Sequence, residues 1–441
     1  MISIFLPREI SSFLKVCSLC ILWGAVGLSA GAQEEAGALT SKENEDIFVH
    51  KVTKLMDGGK TVDWSGGNSR LLVSKRASSQ YHNVYSVSQE GFRLKSLTLS
   101  REGSTPRQHN GCGSWHPSGE YFVYTSQNSG TNSYRMSLPG TGLNCNLALG
   151  DRDGRRSWPL TTNRTSYTAP KGVVYPYFSP DGAKLLWAGN TGEYPDDSLW
   201  GVRALYLADF KMSDGGPSVT NTRELQPGDN KDFYESHGFS PDGNTILFSA
   251  NLRKVRQGGR ERGQNVFGMD IYSYNLVTDK LTALTESNDV WDEFAVFSPD
   301  GKKIVWMSSR GQDIPYMGVG STKWQRFLKS ELWIMDSDGR DDPKQLTNFN
   351  TPGAVEYVGR RCFIGDCVWS PDGRQIALCL NFESRNFDVE SRIVLVELGE
   401  GPPVAKKEDP KAAKGKVPGI PGVGQKQPGK RPGRPNIRFR W

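Results

Sequence analysis

Histidine and cysteine are scarce in this chain, five and seven of its 441 residues. Cys17 and Cys20 lie in an apolar leader. The others, Cys112, Cys145, Cys362, Cys367 and Cys379, form no Cys-x-x-Cys pair and no Cys/His cluster, so no metal site and no cofactor are expected. A Gly-x-Ser-x-Gly elbow is missing, which excludes a serine-hydrolase nucleophile of that kind. The apolar run at residues 16–28 falls short of the roughly 20 residues that a spanning helix needs, so no transmembrane anchor is expected.

Glycine and proline are plentiful, 49 and 25 residues, and they recur in one pattern. Phe297-Ser298-Pro299-Asp300-Gly301 reads as a hairpin turn in which Pro299 presets φ, Asp300 bonds its own backbone and Gly301 supplies a positive φ. The following run, Ile304-Val305-Trp306-Met307, is apolar without alternation, as in a strand covered on both faces. Copies stand at Trp64-Ser65-Gly66-Gly67-Asn68, Trp115-His116-Pro117-Ser118-Gly119, Phe178-Ser179-Pro180-Asp181-Gly182, Phe239-Ser240-Pro241-Asp242-Gly243 and Trp369-Ser370-Pro371-Asp372-Gly373. In the first copy Asn68 takes the glycine position, the next best residue for the left-handed region.

A Leu, mostly followed by Thr, closes each unit: Leu97-Thr98, Leu160-Thr161, Leu225-Gln226, Leu284-Thr285 and Leu346-Thr347. With a third strand between, as at residues 331–336, every unit holds four strands. Six such units specify an all-β, six-bladed β-propeller. Its ends interlock on paper. A strand at residues 47–55 has no blade before it, and the sixth unit, after its third strand at 392–398, has no Leu-Thr strand. The N-terminal strand therefore completes the last blade and closes the ring. Spacings of 51, 63, 61, 58 and 72 between the turn glycine positions exceed the roughly 40–45 of compact WD40 blades, and the excess is assigned to loops.

Residues 1–32, with Arg8 and Lys15 ahead of the apolar run and Ala30-Gly31-Ala32 behind it, read as a secretory signal peptide. Residues 33–45 form an acidic linker and 46–399 the propeller. Residues 400–441 are a Pro/Gly/Lys/Arg-rich tail expected to be disordered, since it has little to bury. From residue 402 the tail carries eleven Lys or Arg against two acids, a charge of +9, so the rest of the chain carries −3 of the total +6. The basic charge thus belongs to a segment that suits an anionic partner, not to a folded nucleic-acid face. Export would permit disulfides, and Cys112–Cys145 and Cys362–Cys367 are the expected pairs, with Cys379 a buried thiol.

The Ser-Pro-Asp-Gly hairpins, the Leu-Thr marks and the leader resemble the WD40-like Pro-Asp repeats of TolB-like propellers over residues 46–399. TolB carries an α/β domain ahead of its propeller, and only residues 33–45 separate leader and first strand here. The resemblance implies a periplasmic or secreted binding scaffold; the propeller is expected here without that domain, and the chain is expected to be monomeric.

The loops entering first strands and those joining second to third strands gather on one face of a propeller. The ligand-binding candidates there are His109, Glu235, His237, Trp291, Asp292, Glu293, Arg253, Arg310, Asn381 and Arg385. Aromatic and Arg side chains at a concave mouth suit an envelope protein, a peptide or a polysaccharide, and no catalytic set assembles from them. The alternative is a carbohydrate-active enzyme, because oligogalacturonate lyases share such repeats and use histidine-rich metal centres. His109 and His237 are the residues open to that role. Asp151-Arg152-Asp153-Gly154 and Asp336-Ser337-Asp338-Gly339 read as turns, not calcium loops.

Overall fold

The computed structural model describes residues 46–402 except 68, 78–80, 99–107, 132–141, 167, 170, 194–200, 229–232, 253–255, 258–259, 262–268, 288–289, 314–327, 341 and 383–389. The leader, the linker and the tail from 403 onward lie outside the described residues.

The described residues form six four-stranded antiparallel blades. Blade 1 runs Gly59–Trp64, Arg70–Arg76, His82–Ser88, Lys95–Ser96. Blade 2 runs Asn110–Trp115, Tyr121–Gln127, Cys145–Asp151, Ser157–Pro159. Blade 3 runs Gly172–Phe178, Lys184–Asn190, Arg203–Ser213, Gly216–Leu225. Blade 4 runs Tyr234–Phe239, Thr245–Ala250, Asp270–Asn275, Leu281–Ala283. Blade 5 runs Asp292–Phe297, Lys303–Ser308, Glu331–Asp336, Lys344–Gln345. Blade 6 runs Cys362–Trp369, Gln375–Phe382, Glu390–Glu400 and takes Ile47–Asp57 as its outer strand, antiparallel from Ile47 opposite Glu400 to Asp57 opposite Arg392. The predicted closure is therefore present.

First strands of successive blades touch one another around the ring, the sixth meeting the first. The double-sided apolar strands now have a physical cause. Buried hydrophobics fall into six clusters, one per seam between blades, and alternate residues of a second strand feed alternate seams. Ile304 and Trp306 pack toward blade 4 while Val305 and Met307 pack toward blade 6. Leu71 and Val73 likewise serve the seam to blade 6, and Leu72 the seam to blade 2.

At one end of the ring the hairpin recurs with the same bonds. Ser298 Oγ donates to Asp300 Oδ1 at 2.6 Å and accepts the Lys303 N–H at 2.9 Å, and Ser370, Asp372 and Gln375 repeat this at 2.6 and 2.9 Å. Gly119, Gly182, Gly243, Gly301 and Gly373 all have φ between 69 and 73°, the left-handed region that a Cβ disfavours. In the first copy the left-handed residue is Ser69, φ 54°, while Asn68 lies outside the described residues.

The Leu-Thr mark proves to be a latch. Thr347 Oγ1 accepts the Leu332 N–H at 2.9 Å and donates to Glu331 Oε2 at 2.7 Å. Thr98 does the same with Val84 and Asn83, Thr161 with Leu147 and Asn146, and Thr285 with Ile271 and Asp270. These four blades have outer strands of only two or three residues. Blade 3 has Gln226 and Ala204 at the two latch positions, and there the outer strand is ten residues long and held by its own ladder. Part of the length assigned to loops in that unit is thus strand.

The expected disulfides are not formed: the five described cysteines are buried thiols, none joined to another. Cys367 Sγ donates to Phe294 O at 3.0 Å and Cys379 Sγ to Gly59 O at 3.1 Å, so two of them tie blade 6 to its neighbours.

Candidate functional site

Opposite the uniform hairpins lies the end from which the first strands enter and where second strands connect to third strands. There the blades differ. Glu235 and Glu293 are each the second residue of a first strand, and their cross-strand partners Ser249 and Met307 occupy matching positions in blades 4 and 5. Both carboxyls are buried. Arg203, which opens the third strand of blade 3, is 1% exposed; it ion-pairs with Glu235 and lies 4.8 Å from the Phe233 ring centroid. The Trp291 indole N–H donates to Glu293 Oε2 at 3.0 Å.

Burial, and then the neighbouring Glu235 carboxylate to which it is hydrogen-bonded, hold the Glu293 carboxyl well above its ordinary range; Trp291 and Arg203 oppose this. One guanidinium faces two adjacent carboxyls there, and the group is neutral as a whole when Glu293, the carboxyl held above its ordinary range, keeps its proton. Tyr175 stands beside it, its hydroxyl raised first by burial and next by the Glu235 charge. An apolar seam would have been the cheaper filling, since burying charges costs several kcal/mol per ion.

The remaining candidates fall elsewhere. Asp292 points to the other side of its strand and is fully buried, accepting from Trp306 Nε1 at 3.1 Å, with Arg310 Nη2 3.9 Å from its second oxygen. Burial raises its pKa. It ties the first to the second strand of blade 5 and is no rim residue. His237 is buried, with Nε2 2.5 Å from Ser249 Oγ, and burial lowers its pKa to about 3, so it is a neutral core histidine. His109 instead packs on Tyr81 and His82. The two histidines open to a metal or acid/base role thus sit on blades 2 and 4 with different partners. Among the described residues, no group of three His, Cys, Asp or Glu is placed to hold a metal ion.

Asn381, in the second strand of blade 6, is buried against Gly365, where an added Cβ would lie 2.1 Å from Asn381 Nδ2. Arg253 and Arg385 lie outside the described residues. On the loop that enters blade 6, Val355 is 90% and Tyr357 37% exposed. That loop is anchored at both ends by Asn350, whose Nδ2 donates to Ser330 O and whose Oδ1 accepts the Cys362 N–H. Arg203, Phe233, Tyr175 and His82 were not among the candidates; Arg203 reads in sequence only as the start of a strand, and its partners belong to other units.

No protein-family model matches the chain, and no curated protein matches it in sequence. Solved structures do. TolB from Acinetobacter baumannii is 17% identical with a TM-score of 0.40, over 72% of this chain and 62% of that one. The chain thus spans under two thirds of that TolB. A gluconolactonase from Xanthomonas campestris is 13% identical, TM-score 0.45, over 79% and 89%. An oligogalacturonate lyase from Vibrio parahaemolyticus is 11% identical, TM-score 0.41, over 80% and 96%. Six four-stranded antiparallel blades with repeated Ser-Pro-Asp-Gly hairpins make the described residues a six-bladed β-propeller.

Proposed function

We propose that this chain is an exported, non-catalytic binding scaffold of the cell envelope that recognises a protein, peptide or polysaccharide at its loop-bearing face. The observation that carries this reading is the asymmetry of the ring. One end repeats a single turn, whereas the other gathers the long connections, the exposed Val355 and Tyr357 and the buried Arg203–Glu235–Glu293 group. A rigid scaffold with varied loops at one end is the arrangement in which recognition residues are carried. Each carboxyl of the buried group is already committed to a neighbour, which fits a preorganised floor beneath a bound ligand better than an acid/base pair. Placement in the periplasm or outside the cell follows from reading residues 1–32 as a leader.

The test is affinity capture from cell-envelope extract with the mature chain, with the chain ending at residue 402, and with Val355→Ser/Tyr357→Ala. Capture that survives loss of the tail and fails in the double variant supports the reading. A partner lost with the tail or by moderate salt makes the tail the adhesive element. Turnover of an acidic polysaccharide would replace the scaffold by an enzyme.

A further inference from the structure

The Asp292 carboxyl, where the first strand of blade 5 enters from the loop-bearing end, is half-satisfied by its own fold. Oδ1 accepts the Trp306 indole N–H at 3.1 Å. Oδ2 accepts no hydrogen bond from any described residue, although Asp292 is wholly buried. Ser308 and Thr285 face the same carboxyl, but neither hydroxyl completes a bond to Oδ2. A buried carboxylate oxygen without a donor is costly, so the position calls for a partner that the described residues do not supply.

Arg310 stands beside this oxygen. It follows the second strand of blade 5, with Nη2 3.9 Å from Oδ2 and Cζ 5.4 Å from the centroid of the Trp333 ring. Arg310 Nε is buried and donates to no described residue, and the same holds for Trp333 Nε1. Trp333 is the cross-strand partner of Trp306, with ring centroids 6.4 Å apart. One acceptor and two donors are thus gathered on one side of three neighbouring strands.

A separation of 3.9 Å is too long for a direct hydrogen bond, yet one oxygen can lie about 2.8 Å from both atoms. That oxygen must donate to the carboxylate and accept from the guanidinium. An ionised carboxylate has no donor and an ammonium no acceptor, whereas a hydroxyl has both. Water and sugars carry that group. The Arg310 side chain is 32% exposed, so the gap is approached from the face on which a ligand lies.

We propose that Asp292, Arg310 and Trp333 form a saccharide subsite on blade 5, in which one sugar hydroxyl donates to Asp292 Oδ2 and accepts from the Arg310 guanidinium. The subsite rests on reading the loop-bearing end as the recognition face, and it narrows the ligand of that face to a polysaccharide.

The test follows the indole N–H resonances of the mature chain as D-glucose, D-galactose, D-mannose and D-xylose are added in separate titrations, with acetamide as the peptide-like probe. Trp306 and Trp333 report the subsite; Trp115 and Trp369, which end first strands at the hairpin end, are the controls. Saturable shifts of Trp306 and Trp333 are expected with at least one sugar and none with acetamide. Arg310→Gln, at a partly exposed position, must weaken the binding about tenfold or more. Asp292→Asn, which keeps an acceptor for Trp306 and turns Oδ2 into a donor, must do the same. Shifts that fail to saturate, that appear equally at the controls, that acetamide reproduces or that persist unchanged in Arg310→Gln overturn the subsite. So does silence with all four sugars, which leaves water as the occupant. Silent indoles together with a partner captured through Val355 and Tyr357 would overturn the subsite and keep the face; sugar binding together with capture through the tail alone would keep the subsite and remove that partner from the face.

Discussion

Glu235 and Glu293, 58 residues apart, occupy the same register position on neighbouring blades and face each other as a hydrogen-bonded carboxyl pair, with Arg203 on the first and Trp291 on the second. The two are not equivalent. Glu235→Gln removes the carboxylate paired with the buried Arg203 guanidinium and is expected to cost about 3–5 kcal/mol. Glu293→Gln keeps a neutral hydrogen-bonding group where a protonated acid stands and is expected to cost under about 1 kcal/mol at neutral pH. Urea unfolding of the two variants checks the order. Equal losses would mean that the proton is not on Glu293.

The Thr latches give a prediction with an internal control. Thr347→Val removes the acceptor of the Leu332 N–H and the donor to the buried Glu331, and should cost about 1–3 kcal/mol. Gln226→Ala, at the corresponding place in blade 3, should stay within about 0.5 kcal/mol, because the ten-residue outer strand there holds itself. Thermal unfolding of both variants measures the difference.

Burial raises Asp366 to about 8 and Asp63 to about 6, although each carboxyl also accepts a backbone N–H from the next blade, Val62 for Asp366 and Trp115 for Asp63. Their folded pKa values lie above the unfolded value of 3.8, so the native state holds these protons more tightly. Their contribution to stability is complete below about pH 4 and falls as pH rises, through about 6 for Asp63 and about 8 for Asp366, by up to about 1.4 kcal/mol per pH unit per group. Asp366→Asn should therefore narrow the stability difference between pH 5 and pH 8. Unfolding curves at the two pH values for wild type and variant check this, and an unchanged difference would remove Asp366 from the pH response.

The thiols report on both fold and processing. Burial pushes Cys145 and Cys379 up to about 12 and raises the other three as well, so alkylation of the native chain should be slow. In denaturant without reductant, five thiols should react. Seven would mean that the leader with Cys17 and Cys20 is retained, and one would restore the two disulfides.

The blades were legible because Pro, Asp and Gly in fixed order leave a hairpin little conformational choice. Closure was legible because Ile47–Asp57 and the sixth unit carried complementary defects. The latches were only half legible. Thr stood out by repetition, but its partners Asn83, Asn146, Asp270 and Glu331 differ in type and look like loop residues preceding a strand. Cysteine spacing misled because it says nothing of side-chain direction: Cys112 and Cys145 serve different seams, and Cys362 and Cys367, though in one seam, are not bonded to each other. Of the candidate site, Glu235, Trp291 and Glu293 were named and come together, whereas Arg203 joins them from another blade by a contact that no local pattern encodes.

The most direct test of the scaffold is the affinity of a captured partner for three forms of the chain: the mature protein, the form ending at residue 402, and Val355→Ser/Tyr357→Ala. The account expects the tail-less form to bind as the mature chain does at moderate salt and the double variant to bind at least about tenfold more weakly. Undiminished binding by the double variant together with loss in the tail-less form would contradict it and move recognition from the propeller face to the tail.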